Sequence, residues 1–125
     1  MNISIDYSSD LPMYEQIKLS IKESILTGKL NYNDALPSVR QLAKELNVST
    51  ITTKRAYQEL EYENLTYSIS GKGTFVNKIN IKDLLAEKKL KLMQNYIIET
   101  EKLKEIGLNK VDVIRIIEKI YGEEK

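Results

Sequence analysis

The chain contains neither cysteine nor histidine. Disulfide staples, thiol nucleophiles, imidazole bases and the two commonest zinc ligands are excluded together, and most familiar catalytic and metal chemistry goes with them. No apolar run approaches the roughly 18 residues that a membrane-spanning helix needs. The start, Met1-Asn2-Ile3-Ser4-Ile5-Asp6, lacks the basic flank and apolar centre of a signal peptide. The expected setting is the cytoplasm, with no membrane partner. A dominant charge is also missing: 19 Lys and Arg stand against 18 Asp and Glu, so bulk charge points to no partner class. What is present is 125 residues, 42% hydrophobic and 30% charged. That suits one folded domain with at most a small appendage, and excludes collagen-like or wholly disordered chains.

Along the chain, Ser9 or Asp10 reads as a helix cap, with Pro12 in the first turn, where its missing N–H costs nothing. Tyr14, Ile17, Ile21 and Ile25 recur at helical spacing until Thr27-Gly28 supplies a stop, which predicts a helix over Pro12 to Thr27. Ser38 caps a second helix, with Gln41 three residues on, and its inward face is Val39, Leu42, Ala43 and Leu46. Asn47 can adopt the left-handed conformation that ends it, and Ser49 offers a fresh cap almost at once. A third helix from about Thr50 to about Tyr62 turns Thr53, Ala56, Tyr57 and Leu60 inward, which leaves Ile51, Lys54, Arg55 and Gln58 on the opposite face. After Asn64 the period becomes two. Leu65, Tyr67 and Ile69 alternate with Thr66, Ser68 and Ser70 until Gly71-Lys72-Gly73 turns the chain into Thr74-Phe75-Val76, a β-hairpin.

From Asn80 the chain reads as one helix of about 26 residues, ended by Gly107, and Asn109 with Asp112 caps another that runs to Gly122. Val113, Ile114, Ile117, Ile120 and Tyr121 are its expected inward face, and the two helices are expected to form a hairpin. Apolar residues on more than one stripe cannot all be covered within such a hairpin. Leu85, Leu92, Tyr96, Ile97, Leu103, Ile114 and Ile117 are therefore the expected contacts of a homodimer.

Three helices, the last two joined by a tight turn, and then a glycine-tipped ribbon predict a winged helix-turn-helix at residues 1–77, with a two-helix tail at 78–125. The fold class is mostly α with a small β-hairpin. Leu36-Pro37-Ser38-Val39-Arg40-Gln41-Leu42-Ala43, Val48-Ser49, Arg55-Ala56-Tyr57-Gln58-Glu59-Leu60 and Gly71-Lys72-Gly73-Thr74-Phe75-Val76 resemble the GntR family of bacterial transcription regulators, and Pro12-Met13-Tyr14-Glu15-Gln16-Ile17 resembles its opening helix. The short tail is similar to the YtrA-like subgroup, whose members lack a large effector domain and dimerise through the tail. Four positions depart from the family pattern: Tyr32-Asn33 replaces a Pro-Gly turn, Asn47 replaces a glycine, and Thr50 stands where an arginine often reads a base.

The resemblance implies that Arg40, Ser49, Thr50, Thr52 and Lys54 contact DNA and that Gly71, flanked by Ser70 and Lys72, brings the wing to the minor groove. The residues themselves add Ile51 and Arg55, since an outward isoleucine at the leading end of a helix suits a thymine methyl. Residues 1–77 carry eight basic and nine acidic side chains, a poor footprint for DNA. Within residues 36–58, however, Arg40, Lys44, Lys54 and Arg55 face only Glu45, so positive charge gathers where the groove would lie. Taken singly, these are ordinary solvated charges; the motif context assigns them to DNA. Lys82, Lys88, Lys89 and Lys91 read as a solvated helix face, and Glu59, Glu61 and Glu63 as a solvated helix end with no histidine to make them an acid-base site.

The resulting expectation is a homodimeric transcription regulator, a repressor without a cofactor, on a double-stranded, two-fold symmetric operator; the sequence names no effector. The resemblance further implies control of its own, transporter-type operon. The competing reading is a protein-interaction adaptor with a vestigial DNA face. An enzyme is not expected.

Overall fold

Helix α1 (Met13–Leu26) forms because Ile17, Ile21 and Ile25 recur every four residues, and all three are buried. Its start differs from expectation, in the computed structural model that describes residues 2–122. Pro12 takes the cap position and has no capping oxygen, so neither Ser9 nor Asp10 caps the helix. Gln16 does the work from inside: its Nε2 donates to the carbonyls of Asp6 and Leu11, both at 3.0 Å, and its Oε1 accepts from the Asp6 N–H at 2.8 Å. The entering segment, seated on the core through Ile3 and Ile5, thus covers the helix front.

Helices α2 (Val39–Leu46) and α3 (Thr50–Tyr62) start on hydroxyl caps, Ser38 accepting from the Gln41 N–H and Ser49 from the Thr52 N–H. Both stop on an Asn followed by an apolar residue. Asn47 (φ 55°) and Asn64 (φ 61°) take the left-handed conformation, and the next N–H reaches back five residues, Val48 to Ala43 and Leu65 to Leu60. The row Thr53, Ala56, Tyr57 and Leu60 is buried as its spacing predicts, and it lies against α1 and α2. Tyr57 donates its hydroxyl to the Pro37 carbonyl at 2.6 Å, which ties α3 to the entrance of α2. Burial, and then the Glu45 charge, pushes the Tyr57 phenol well above its ordinary range, so it stays a donor.

Strands β1 (Thr66–Ile69) and β2 (Gly73–Val76) pair antiparallel, with Thr66 opposite Val76 and Tyr67 stacked on Phe75 at 5.6 Å. Alternation predicts the hairpin, but burial does not follow the apolar set: Leu65 and Thr66 are buried, whereas Ile69 is 42% exposed. The ribbon meets the core only at its base. The free edge of β2 is closed by residues 33–36, where Asn33 and Leu36 donate to the Val76 and Thr74 carbonyls and Val76 donates to Asp34, each at 2.9 Å. Asn33 sits at φ 71° and accepts from the Tyr67 hydroxyl, which explains how Tyr32-Asn33 replaces a glycine turn.

Packing divides the chain into one unit through Leu84, whose side chain is buried, and another from Leu85. Helix α4 (Ile81–Glu105) is capped by Asn80, and Gly107 (φ 101°) closes it with Leu108 bonding back to Leu103. Helix α5 (Lys110–Tyr121) opens on a reciprocal Asn109–Asp112 capping box. The expected hairpin is not tightly packed: α4 and α5 make no extensive contact with each other. Ile114, Ile120 and Tyr121, read as inward, are exposed, while Val113 and Ile117 are partly buried. Positions 123–125 of the expected tail lie outside the described residues.

Glu63, read as part of a solvated helix end, is instead an anchor. Its carboxylate binds Lys22 at 2.9 Å and Lys18 at 3.0 Å, and Lys18 also meets Glu15 at 3.3 Å. Partial burial opposes charge on Glu63, but the two ammonium groups outweigh it and hold the carboxyl below its ordinary value. A lowered carboxyl stabilises the fold above its unfolded-state value and loses that contribution as the pH falls through the folded one. Glu63→Gln should therefore cost about 1 kcal/mol at neutral pH. In urea melts the gap from the parent should close as the pH drops below the ordinary 4.5; a constant gap would assign the loss to packing.

Candidate nucleic-acid interface

Because α3 is buried along one row only, its opposite side is left bare. Ile51 is 79% exposed, an unusual position for a branched apolar side chain on a small domain, and Thr50, Lys54, Arg55 and Gln58 are exposed beside it. Arg40, at the second position of α2, is exposed as well. At the front of α3 the Ser49 hydroxyl accepts from the Thr52 N–H at 3.0 Å and donates to the Thr52 hydroxyl at 2.8 Å. Ser49 is thus engaged in the cap, whereas the Thr52 hydroxyl hydrogen is free to reach an external acceptor.

The cations divide into two groups. Lys18 and Lys22 are spent on Glu63; burial opposes the Lys18 charge, but Glu63 and Glu15 outweigh it and hold the ammonium above its ordinary value. Among the described residues Arg40, Lys44, Lys54 and Lys72 enter no ion pair. Net charge near zero therefore conceals a set of exposed cations that no acid among the described residues neutralises. Among the described residues no group of acidic, Cys or His side chains is arranged to hold a metal.

Arg55 differs from its neighbours. Its guanidinium lies 3.8 Å from the centroid of the Tyr14 ring, and Nη2 donates to the Tyr14 hydroxyl at 3.1 Å. Sequence spacing reads Tyr14 as core and Arg55 as a free outward cation. Their contact joins residues 41 apart and has no signal in either local pattern.

At the wing tip, Ser70, Gly71 and Lys72 are exposed, with Gly71 at φ 76°, a conformation that glycine adopts without strain. In the second unit, Leu85, Leu92, Tyr96, Ile97 and Ile114 are between 40% and 56% exposed, whereas Leu103 and Ile117 are partly buried.

Residues 13–76 match the model of the bacterial regulatory proteins of the gntR family. The chain is 39% identical over 92 residues to the HTH-type transcriptional repressor YtrA of Bacillus subtilis (strain 168), covering 74% of this chain and 70% of that one. Among solved structures, a GntR family transcriptional regulator from Listeria monocytogenes superposes with a TM-score of 0.73 at 33% identity, covering 92% of this chain and 98% of that one. The DNA-binding domain of AraR in complex with an operator matches at a TM-score of 0.53 and 34% identity, over 58% of this chain and 89% of that one. These relatives are transcription regulators, not enzymes.

Exposure of Ile51 separates surface function from folding. Ile51→Ser should leave the melting temperature equal or slightly higher in calorimetry while weakening DNA binding, because the side chain contributes almost nothing to the core.

Proposed function

The chain belongs to the gntR family of bacterial regulatory proteins, and is on that ground a DNA-binding transcription regulator; from this premise we propose that it is a homodimeric repressor of a two-fold symmetric operator. The observation that carries the reading is the bare isoleucine at the leading end of α3, on a helix whose outward Lys54 enters no ion pair among the described residues. The N-terminal residues of a recognition helix are the ones that reach base edges in the major groove. Thr50, Ile51 and Lys54 stand there, with Arg40 and the Thr52 hydroxyl placed for phosphates and Lys72 and Gly71 at the wing for the minor groove. Repression is supported by the repressor name of the Bacillus subtilis relative; control of the gene's own, transporter-type operon is what the family resemblance implies and is part of the same proposal.

Few cations are available per copy, so a single domain holds DNA weakly and two tethered copies are needed. The tail supplies the means. Packing between α4 and α5 is sparse, and Leu92, Met93, Tyr96 and Ile97 are each more than half exposed, a stripe too apolar to stay in water. A second copy of the same stripe, related by a two-fold axis, matches both this surface and a symmetric operator. The reading places the protein with the DNA in the cytoplasm and leaves its effector unassigned.

Two measurements test it. Arg40→Ala and Lys54→Ala should each weaken binding to the protein's own upstream DNA by roughly 1–3 kcal/mol in a mobility shift, with the fold intact. Absence of a salt-sensitive shift in the parent protein would favour the adaptor reading instead. Ile97→Glu, at a site already exposed in the single chain, should turn the dimer into a folded monomer by light scattering and abolish tight binding; a parent protein that is monomeric at micromolar concentration would overturn the dimer.

A further inference from the structure

Arg55 is the sixth residue of α3, behind the leading positions that face bases, and its side chain bends toward α1. Tyr14 holds it twice, through the ring face under the guanidinium and through the hydroxyl on Nη2. Tyr14 is itself partly buried against the core, so its own position is set by packing. A carboxylate could have oriented the guanidinium as well, but would have cancelled its charge. Tyrosine orients it and leaves the charge whole; among the described residues Arg55 enters no ion pair.

We propose that Arg55 is a phosphate clamp on the DNA backbone flanking the groove, and that Tyr14 is the positioning residue that pre-orders it. The proposal rests on the DNA-binding reading above and goes beyond it by giving α1 a part in recognition. A planar guanidinium presents five N–H groups in a fork that fits a phosphate bidentately, and only one of them is used by the Tyr14 hydroxyl. A free arginine loses side-chain freedom when it closes on a phosphate; one already stacked on a ring loses less, and the saving appears as affinity. Backbone contacts carry no sequence information, so the gain is the same on operator and on unrelated duplex.

The test uses the full chain and fluorescence anisotropy on two duplexes, the upstream DNA and a scrambled sequence, across a salt series. Arg55→Ala should weaken both to the same degree and lower the slope of log affinity against log salt by about 1. Tyr14→Leu should weaken binding roughly three- to tenfold when Arg55 is present. In the Arg55→Ala background the same change should have less than about a twofold effect, because nothing remains to position. Tyr14→Phe, which keeps the ring and removes only the hydroxyl, should fall between parent and Tyr14→Leu, and it carries the cycle if the leucine variant fails to fold. Equal losses from the Tyr14 change in both backgrounds would make Tyr14 merely structural, and an unchanged salt slope in Arg55→Ala would remove the phosphate contact. Either result overturns the clamp while the parent still binds; a parent that binds neither duplex overturns the DNA-binding reading itself.

Discussion

The one-sided burial of α3 is the constraint on which the rest of the structure depends. Thr53 and Ala56 are small enough for α1 and α2 to approach closely, Leu60 and Tyr57 fill the space behind them, and the Tyr57 hydroxyl fastens the helix to Pro37. With that row fixed, helical geometry leaves no freedom to the other side. Ile51 and Lys54 must project outward, so the face proposed to meet DNA is a consequence of how the core is packed. A rotation of α3 by one residue would bury Lys54 and expose Leu60, at the cost of an unpaired buried charge.

Around this helix the ends are set by short local devices. Asn47 followed by Val48 and Asn64 followed by Leu65 each place an asparagine in the left-handed conformation and then return an apolar residue to the body of the domain. The angle between α2 and α3 and the departure of the wing both follow from these two turns. The wing gains a third edge from residues 33–36, so the strand nearest the core is hydrogen-bonded on both sides and its tip can project without fraying.

Charge is partitioned in the same way. Glu63 lies at the far end of α3 and gathers the α1 lysines, which neutralises part of their charge and ties α1 to α3. The cations near the leading end have no such partner. A nearly neutral chain thereby keeps some of its exposed cations unpaired, and the separation depends on which acids the fold brings to which bases.

Much of this was legible in the sequence alone: the helices, the hairpin, the inner row of α3 and the outward position of Ile51, because each depends on neighbours three or four residues away and on caps read from single residues. The caps of α2 and α3, Ser38 and Ser49, and the stops at Asn47 and Gly107 are of that kind. Where contacts join distant segments, only the tertiary structure decided. The start of α1 passed from Ser9 or Asp10 to Gln16 because the entering segment folds over it; Glu63 became an anchor because α1 lies beside it; and Arg55 was caught by Tyr14. The sparse packing between α4 and α5 belongs there too, since amphipathic patterning says that a face must be covered and not what covers it. Local periodicity reports which side of a helix is apolar; which charges and rings meet across the domain is settled only when the core brings the helices together.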